Sequence, residues 1–294
     1  MTDQATVLRQ LIQKRRSSPQ SSPPSHRMAR TLAVTSGKGG VGKSNLALNL
    51  GIALAQHGAR VCLLDASLGL SNLDLLCGLN GYWNLSHVLT GARNLNQIIL
   101  DGPAGVHLVP GASGLADVAD CPEPAQQNIL TQMTQLEQNH DFLIVDTGPG
   151  IHRPVRSFVE VCDYVLVVTT PEPTAIADAY ATVKALAGRG GLAMHLLVNQ
   201  AASAQQARQI FERLKQTSQI FVRRELDYAG FVPFDRSVPN AVARRRPFLI
   251  EFPDCSASLA VRRLAGRLRG LPGQTKESSP FFARLWNHLR KRAA

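Results

Sequence analysis

The densest run of chemically suggestive residues is Ser36-Gly37-Lys38-Gly39-Gly40-Val41-Gly42-Lys43-Ser44. From Gly37 to Ser44 it fits G-x-x-x-x-G-K-S/T, and it lies between a strand pattern and a helix pattern, the context a phosphate-binding loop requires. Glycines here let backbone N–H groups converge on phosphate oxygens without Cβ clashes, and the next helix aims its positive end at the same place. Lys43 can reach the β- and γ-phosphates, and the Ser44 hydroxyl can ligate Mg²⁺. Gly37, Lys38, Gly39, Gly40, Val41, Gly42, Lys43, Ser44 and Asn45 are therefore the expected nucleotide contacts. Asp146 ends the apolar run Phe142–Val145 and opens Asp-Thr-Gly-Pro-Gly. A carboxylate at such a strand end suits a Mg²⁺ shell, shared with Ser44. Gly148 and Gly150 would let its loop follow the γ-phosphate. Asp65 ends another strand pattern and starts Asp-Ala-Ser-Leu-Gly-Leu-Ser-Asn-Leu-Asp.

These residues need a scaffold that ends several strands side by side. Short apolar runs at 31–35, 61–65, 106–110, 142–146, 164–169, 193–199 and 229–233 alternate with helical patterns, notably 43–57, 125–139, 174–188, 203–218 and 255–269. Near-continuous apolar strands alternating with helices imply a parallel sheet covered on both faces. The fold class is α/β: a P-loop NTPase-like, doubly wound, mostly parallel sheet with helices on both faces. The organisation reads as a short amphipathic helix at 1–16, a Ser/Pro-rich linker at 17–30, an ATPase domain at 31–270, a loose linker at 271–280 and a final helix at 281–294. In the first segment Val7, Leu8, Leu11 and Ile12 recur at i, i+1, i+4 and i+5, one apolar stripe on a helix too short to be stable alone.

Charge is uneven. The formal +11 divides into +5 over residues 1–30, −3 over 31–240 and +9 over 241–294. Basic ends around a nearly neutral core attract phosphates, of lipid or nucleic acid; a solubilising surface would look the same. No apolar stretch approaches the roughly 20 residues of a membrane span, and the N-terminus lacks the apolar region of a secretory signal. Five cysteines, Cys62, Cys77, Cys121, Cys162 and Cys255, without a CxxC pair, read as reduced thiols rather than a disulfide framework or zinc site.

In the last segment Phe281, Phe282, Leu285, Trp286 and Leu289 fall on one helix face, with Arg284, Arg290, Lys291 and Arg292 around it. Such a helix can lie in the headgroup layer of an anionic membrane, each basic residue contributing about 1 kcal/mol. The alternative, a helix folded back on its own core, is disfavoured by the Gly/Pro/Ser linker.

Lys38 adds a second, early lysine to the loop, and with it the sequence resembles the MinD/ParA superfamily of ATPases. The resemblance implies an ATP- and Mg²⁺-dependent sandwich dimer in which Lys38 reaches the nucleotide of the other subunit. It assigns Lys38, Lys43, Asp65, Ser67 and Asp146 to catalysis. It also brings Glu172 to the partner's ribose, Asn199 to adenine, and Pro233 and Asp235 to the other side of the adenine pocket. Ser67 departs from the family's usual Asp, which helps position the attacking water. A hydroxyl is a much weaker acceptor, so fast hydrolysis is in doubt.

Within the superfamily the stretches Asp3-Gln4-Ala5-x-x-Leu8-Arg9, Leu64–Asp74, Val168–Tyr180 and Pro233-Phe234-Asp235 running on to Arg246-Pro247-Phe248 resemble the FlhG (FleN, YlxH) flagellar branch. That likeness implies partner binding by Asp3, Gln4, Ala5, Leu8 and Arg9 to an FlhF-type GTPase. It further implies a homodimer, a flagellar transcription activator or switch-complex protein as further partners in some relatives, and a cytoplasmic, peripheral and polar place on the inner membrane face. The rivals are a division-site regulator like MinD, a ParA-type DNA-partition ATPase using Arg244–Arg246, Arg262, Arg263, Arg267 and Arg269, and an iron–sulfur carrier. The aromatic tail disfavours a nucleic-acid partner, and the absence of a suitably spaced cysteine pair disfavours the iron–sulfur carrier.

Overall fold

Strand β1 (Arg30–Thr35) is buried along nearly its whole length, so helices must cover both its faces. The computed structural model describes residues 28–67, 73–111, 115, 122–188, 192–270 and 279–293. After β1 come α1 (Lys43–Gln56), β2 (Val61–Ala66), the short helices α2 (Leu73–Leu76) and α3 (Leu85–Leu89), β3 (Leu100–Asp101) and β4 (His107–Val109). Then follow α4 (Glu123–Gln138), β5 (Phe142–Thr147), α5 (Arg153–Val159), β6 (Tyr164–Thr169), α6 (Pro173–Leu186), β7 (Ala193–Ala201), α7 (Ala204–Val222) and β8 (Asp227–Pro233). The chain closes with α8 (Ser237–Ala243), α9 (Phe248–Glu251), α10 (Ser256–Arg269) and α11 (Phe281–Ala293).

The strands form one sheet in the order β3-β4-β2-β5-β1-β6-β7-β8, parallel except for the two-residue edge strand β3. Side chains alternate across it. Leu32, Val34, Leu63 and Ile144 pack with α1 and α10, whereas Ala33, Leu64, Leu143 and Val145 pack with α4 to α7. This is the expected doubly wound architecture. Pairing places Val34 beside Asp146 and Asp65 beside Asp146. The loop after β1 and both strand-end carboxylates thus open at the same sheet edge, the usual ligand crevice of such folds.

One expectation needs correction. The final helix forms, but it is not a free arm. Phe281, Phe282 and Leu285 are at most 3% exposed and pack with Ile129, Met133 and Leu136 of α4, with Trp286 and Leu289 partly buried beside them. Burying each large apolar side chain contributes up to about 1.5–3 kcal/mol. Polar contacts fix the pose. Glu137 of α4 accepts the backbone N–H of Phe281 at 3.0 Å and of Phe282 at 3.5 Å, satisfying two donors that a helix start otherwise leaves open. Arg284 donates to Val161 O at 3.0 and 3.1 Å and to Asp163 at 3.0 Å. His288 lies 3.3 Å from Glu160. The helix returns because α4 carries an apolar face and an acidic rim that the linker lets it reach. The 1–16 segment and the linker residues 17–27 and 271–278 lie outside the described residues.

Candidate nucleotide site

The phosphate loop is shaped by contacts made at a distance in sequence. Gly40 and Gly42 take φ of +80° and +90°, which L side chains rarely adopt. A Cβ at Gly37 would sit 2.3 Å from the backbone oxygen of Asp178 in α6. At Gly42 it would sit 2.5 Å from Asn199 Nδ2. Ser36 Oγ donates to Lys38 O at 2.7 Å, and the Gly150 N–H donates to Ser36 O at 2.8 Å. The latter bond ties the loop to the Asp146 segment. Gly39 and Gly40 stand exposed at the tip, Val41 is buried beneath them, and Ser44 and Asn45 are half-buried in the first turn of α1.

Lys43, Asp65 and Asp146 meet under this loop. Lys43 is 7% exposed, and burial lowers its pKa against the opposing pull of Asp146 and Asp65. Asp146 is fully buried, and desolvation pushes its carboxyl up to about 7; the Ser44 hydroxyl and Lys43 favour the charged form, while Asp65 opposes it. Neither oxygen of Asp146 has a well-formed hydrogen bond. A buried, unsatisfied carboxylate beside a serine hydroxyl is a site that a hard cation would complete, and Ser44 and Asp146 fit Mg²⁺ on that ground. The cation would neutralise charge on phosphate oxygens. Asp65 instead holds its own loop, accepting the Ser67 N–H at 3.1 Å and the Leu73 N–H at 3.3 Å. Ser67 is half-buried at the mouth of that turn, and residues 68–72 lie outside the described residues.

Four expected contacts take other partners in the chain as it stands. Lys38 Nζ is paired within its own chain to Glu172, and it donates to Thr174 Oγ1 at 2.8 Å. The bond from Lys38, with Thr174 assisting, lowers the pKa of Glu172. Asn199 Nδ2 donates to Val41 O at 2.8 Å, so this amide braces the phosphate loop. Asp235 accepts Ser256 Oγ at 2.6 Å and the Ser237 N–H at 2.9 Å, and these bonds hold its pKa far below the usual range. Through these bonds it anchors α8 and α10. Pro233 ends β8 beside these groups.

Phe234, next to Pro233 in the segment Val232–Asp235 that resembles one side of an adenine pocket, lies at an open cleft. Thr170, Pro171, Glu172, Gln200, Ala201, Gln206 and Phe234 line this cleft of about 590 Å³. Phe234 is 60% exposed there, and Gln200 has φ of +57°. An exposed aromatic beside polar amides is what a planar ring would stack on.

A parallel sheet, a Gly-Lys-Ser loop at its centre and paired strand-end carboxylates can be compared with known proteins. The family model that matches residues 27–269 is ParA, described as an NUBPL iron-transfer P-loop NTPase. The chain belongs to the ParA/MinD family of P-loop ATPases. Within that family it is of the FlhG/FleN type. It is 40% identical to the antiactivator FleN of Pseudomonas aeruginosa, covering 87% of this chain and 93% of FleN. It is 33% identical to the flagellum site-determining protein YlxH of Helicobacter pylori, covering 88% and 90% of the two chains. Its fold matches MinD in the MinC:MinD cell division complex of Aquifex aeolicus with a TM-score of 0.65 at 26% identity, over 85% of this chain and 99% of that one. Family membership makes nucleotide and Mg²⁺ its cofactors. Cys62, Cys77, Cys162 and Cys255 are free thiols, and no cluster of three metal-ligating side chains occurs among the described residues. No helix among them is long and apolar enough to cross a membrane.

Proposed function

We propose that this ATPase is an ATP-gated regulator of flagellar number and placement that works as a Mg-ATP-bound homodimer. The observation that carries the reading is Lys38. It is a second loop lysine that serves no group of its own phosphate site and is parked on Glu172. An exposed ion pair of this kind contributes little, so a nucleotide phosphate from a second subunit can replace it. The likeness to FleN and YlxH supports the flagellar role. In this reading α11 leaves its groove in the dimer and attaches to the anionic inner face of the cytoplasmic membrane, towards a pole. Two such helices on one dimer bind together far more tightly than one. Asp3, Gln4, Ala5, Leu8 and Arg9 engage an FlhF-type GTPase, and flagellar transcription or switch-complex proteins are further partners.

Ser67 makes hydrolysis slow, so the dimer persists until a partner or nucleotide exchange ends it. The test is ATP turnover with anionic liposomes for the wild type and for Ser67→Asp. Turnover near background that rises at least about tenfold in Ser67→Asp is expected, since a positioned charged acceptor contributes factors of this size or more. Fast wild-type turnover, unchanged in Ser67→Asp, would overturn the slow-switch reading.

A further inference from the structure

We infer that the groove that seats α11 has a second occupant in the same chain, the N-terminal segment around Val7 to Ile12. The inference rests on the reading in which α11 can leave. The two segments carry one pattern. Phe281, Phe282, Leu285 and Trp286 stand at i, i+1, i+4 and i+5, and so do Val7, Leu8, Leu11 and Ile12. Each pattern is followed by a basic triplet, Arg290–Arg292 in one and Lys14–Arg16 in the other.

Superposing the patterns puts Lys14 at the place of His288, which faces Glu160, and Gln10 at the place of Arg284, which faces Val161 O and Asp163. Lys14 brings a second cation to Glu160, which Arg156 already meets at 3.1 Å, in the place where His288 stands. Gln10 supplies amide donors. Glu137, Asp163 and Glu160 make the groove rim acidic, complementary to a segment whose only acidic residue is Asp3.

The chain also starts from the right place. Ala29 is 1% exposed in the same apolar cluster as Phe281. The Thr31 N–H donates at 2.8 Å to Asp163, whose other oxygen holds Arg284 at 3.0 Å. The N-terminal arm therefore enters the core beside the first turn of α11. Residues 13–28 can span about 50 Å when extended. A helix the length of α11 covers only about 20 Å, so the return path is long enough.

The fit is second best. Val, Leu, Leu and Ile fill less volume than Phe, Phe, Leu and Trp, and Gln10 leaves Asp163 without the guanidinium. Hence α11 holds the groove at rest, and the N-terminal segment enters only once it is vacated. Residues that would engage a partner GTPase are then withdrawn by the departure of α11, so tail release and partner engagement alternate.

A benzophenone side chain in place of Leu130, on the groove wall, reports the occupant through mass spectrometry of the crosslinked peptide. In the full chain, crosslinks to residues 281–289 are expected. Phe282→Glu cannot be buried beside Glu137 and vacates the groove; a chain ending at Ser278 vacates it by construction. In both, crosslinks should move to residues 5–14 and be lost again with Leu8→Glu and Leu11→Glu. Three results overturn the exchange: no crosslinks to residues 5–14 in the vacated chains, crosslinks that survive the two Glu substitutions, or crosslinks that join isotopically distinct copies. The wild type with Mg-ATP and phosphatidylglycerol vesicles separates the two readings. Movement in the vacated chains without movement on vesicles supports the exchange and rejects membrane release.

Discussion

Glu137 makes the docking of α11 sensitive to pH, in a direction opposite to that of an ordinary surface ion pair. Its side chain is 1% exposed, and burial pushes its pKa from 4.5 up to about 7, against the two N–H bonds from α11 and the charge of Arg284. Once α11 leaves, the carboxyl faces water and returns towards its ordinary value. The docked state thus binds the proton more tightly. Its advantage is fully present below the undocked pKa near 4.5 and is lost as pH rises through about 7. Between pH 5 and 8 the docking equilibrium should weaken by roughly 70-fold, about 2.5 kcal/mol. Asp163 is raised by burial, but Arg284, the group that α11 brings to it, favours its charged form. Hydrogen exchange of the α11 amides, corrected for intrinsic rates, reads the opening equilibrium directly. Glu137→Gln, neutral at every pH, should lose most of the dependence and protect α11 better than wild type at pH 8. Docking that tightens with rising pH, or a Glu137→Gln profile that tracks wild type, would refute the reasoning.

Two further outcomes follow from the phosphate loop. Lys43→Ala removes the buried cation that the phosphates would contact and leaves Asp146 and Asp65 facing each other, so nucleotide affinity should fall by at least about 100-fold in a calorimetric titration, in line with a lost charge-assisted contact. Gly42→Ala forces a methyl into a φ of +90° and to 2.5 Å from Asn199 Nδ2; thermal unfolding should show a loss of about 2 kcal/mol, and nucleotide binding should weaken with it.

The phosphate loop and its sheet were legible because their rules are local. Glycine spacing, a following helix and apolar runs of strand length all lie within short windows, and the seven strand runs and five helical patterns fall on observed elements. The antiparallel edge strand β3 escaped because two residues carry no periodicity. Within the chain Asn199 and Asp235 hydrogen-bond to Val41 and Ser256, residues 158 and 21 positions away. Sequence spacing does not encode such pairings. The docked tail was missed for a related reason. Its amphipathic face was visible, but the groove that answers it lies on another helix. The one available clue was Glu137, a carboxylate eight residues after Ile129 on the buried stripe of α4. A charge there implies donors arriving from elsewhere.

That arrangement bears on how the protein is made. The wall formed by Ile129, Met133 and Leu136 is synthesised well before its cover, which begins only at Phe281. During translation the ATPase core can close its sheet with this apolar strip and the Glu137 carboxylate still open to water. Nascent chains with exposed apolar surface are prone to aggregate. A chain stalled or clipped before residue 281 would therefore expose the same strip that a released tail exposes.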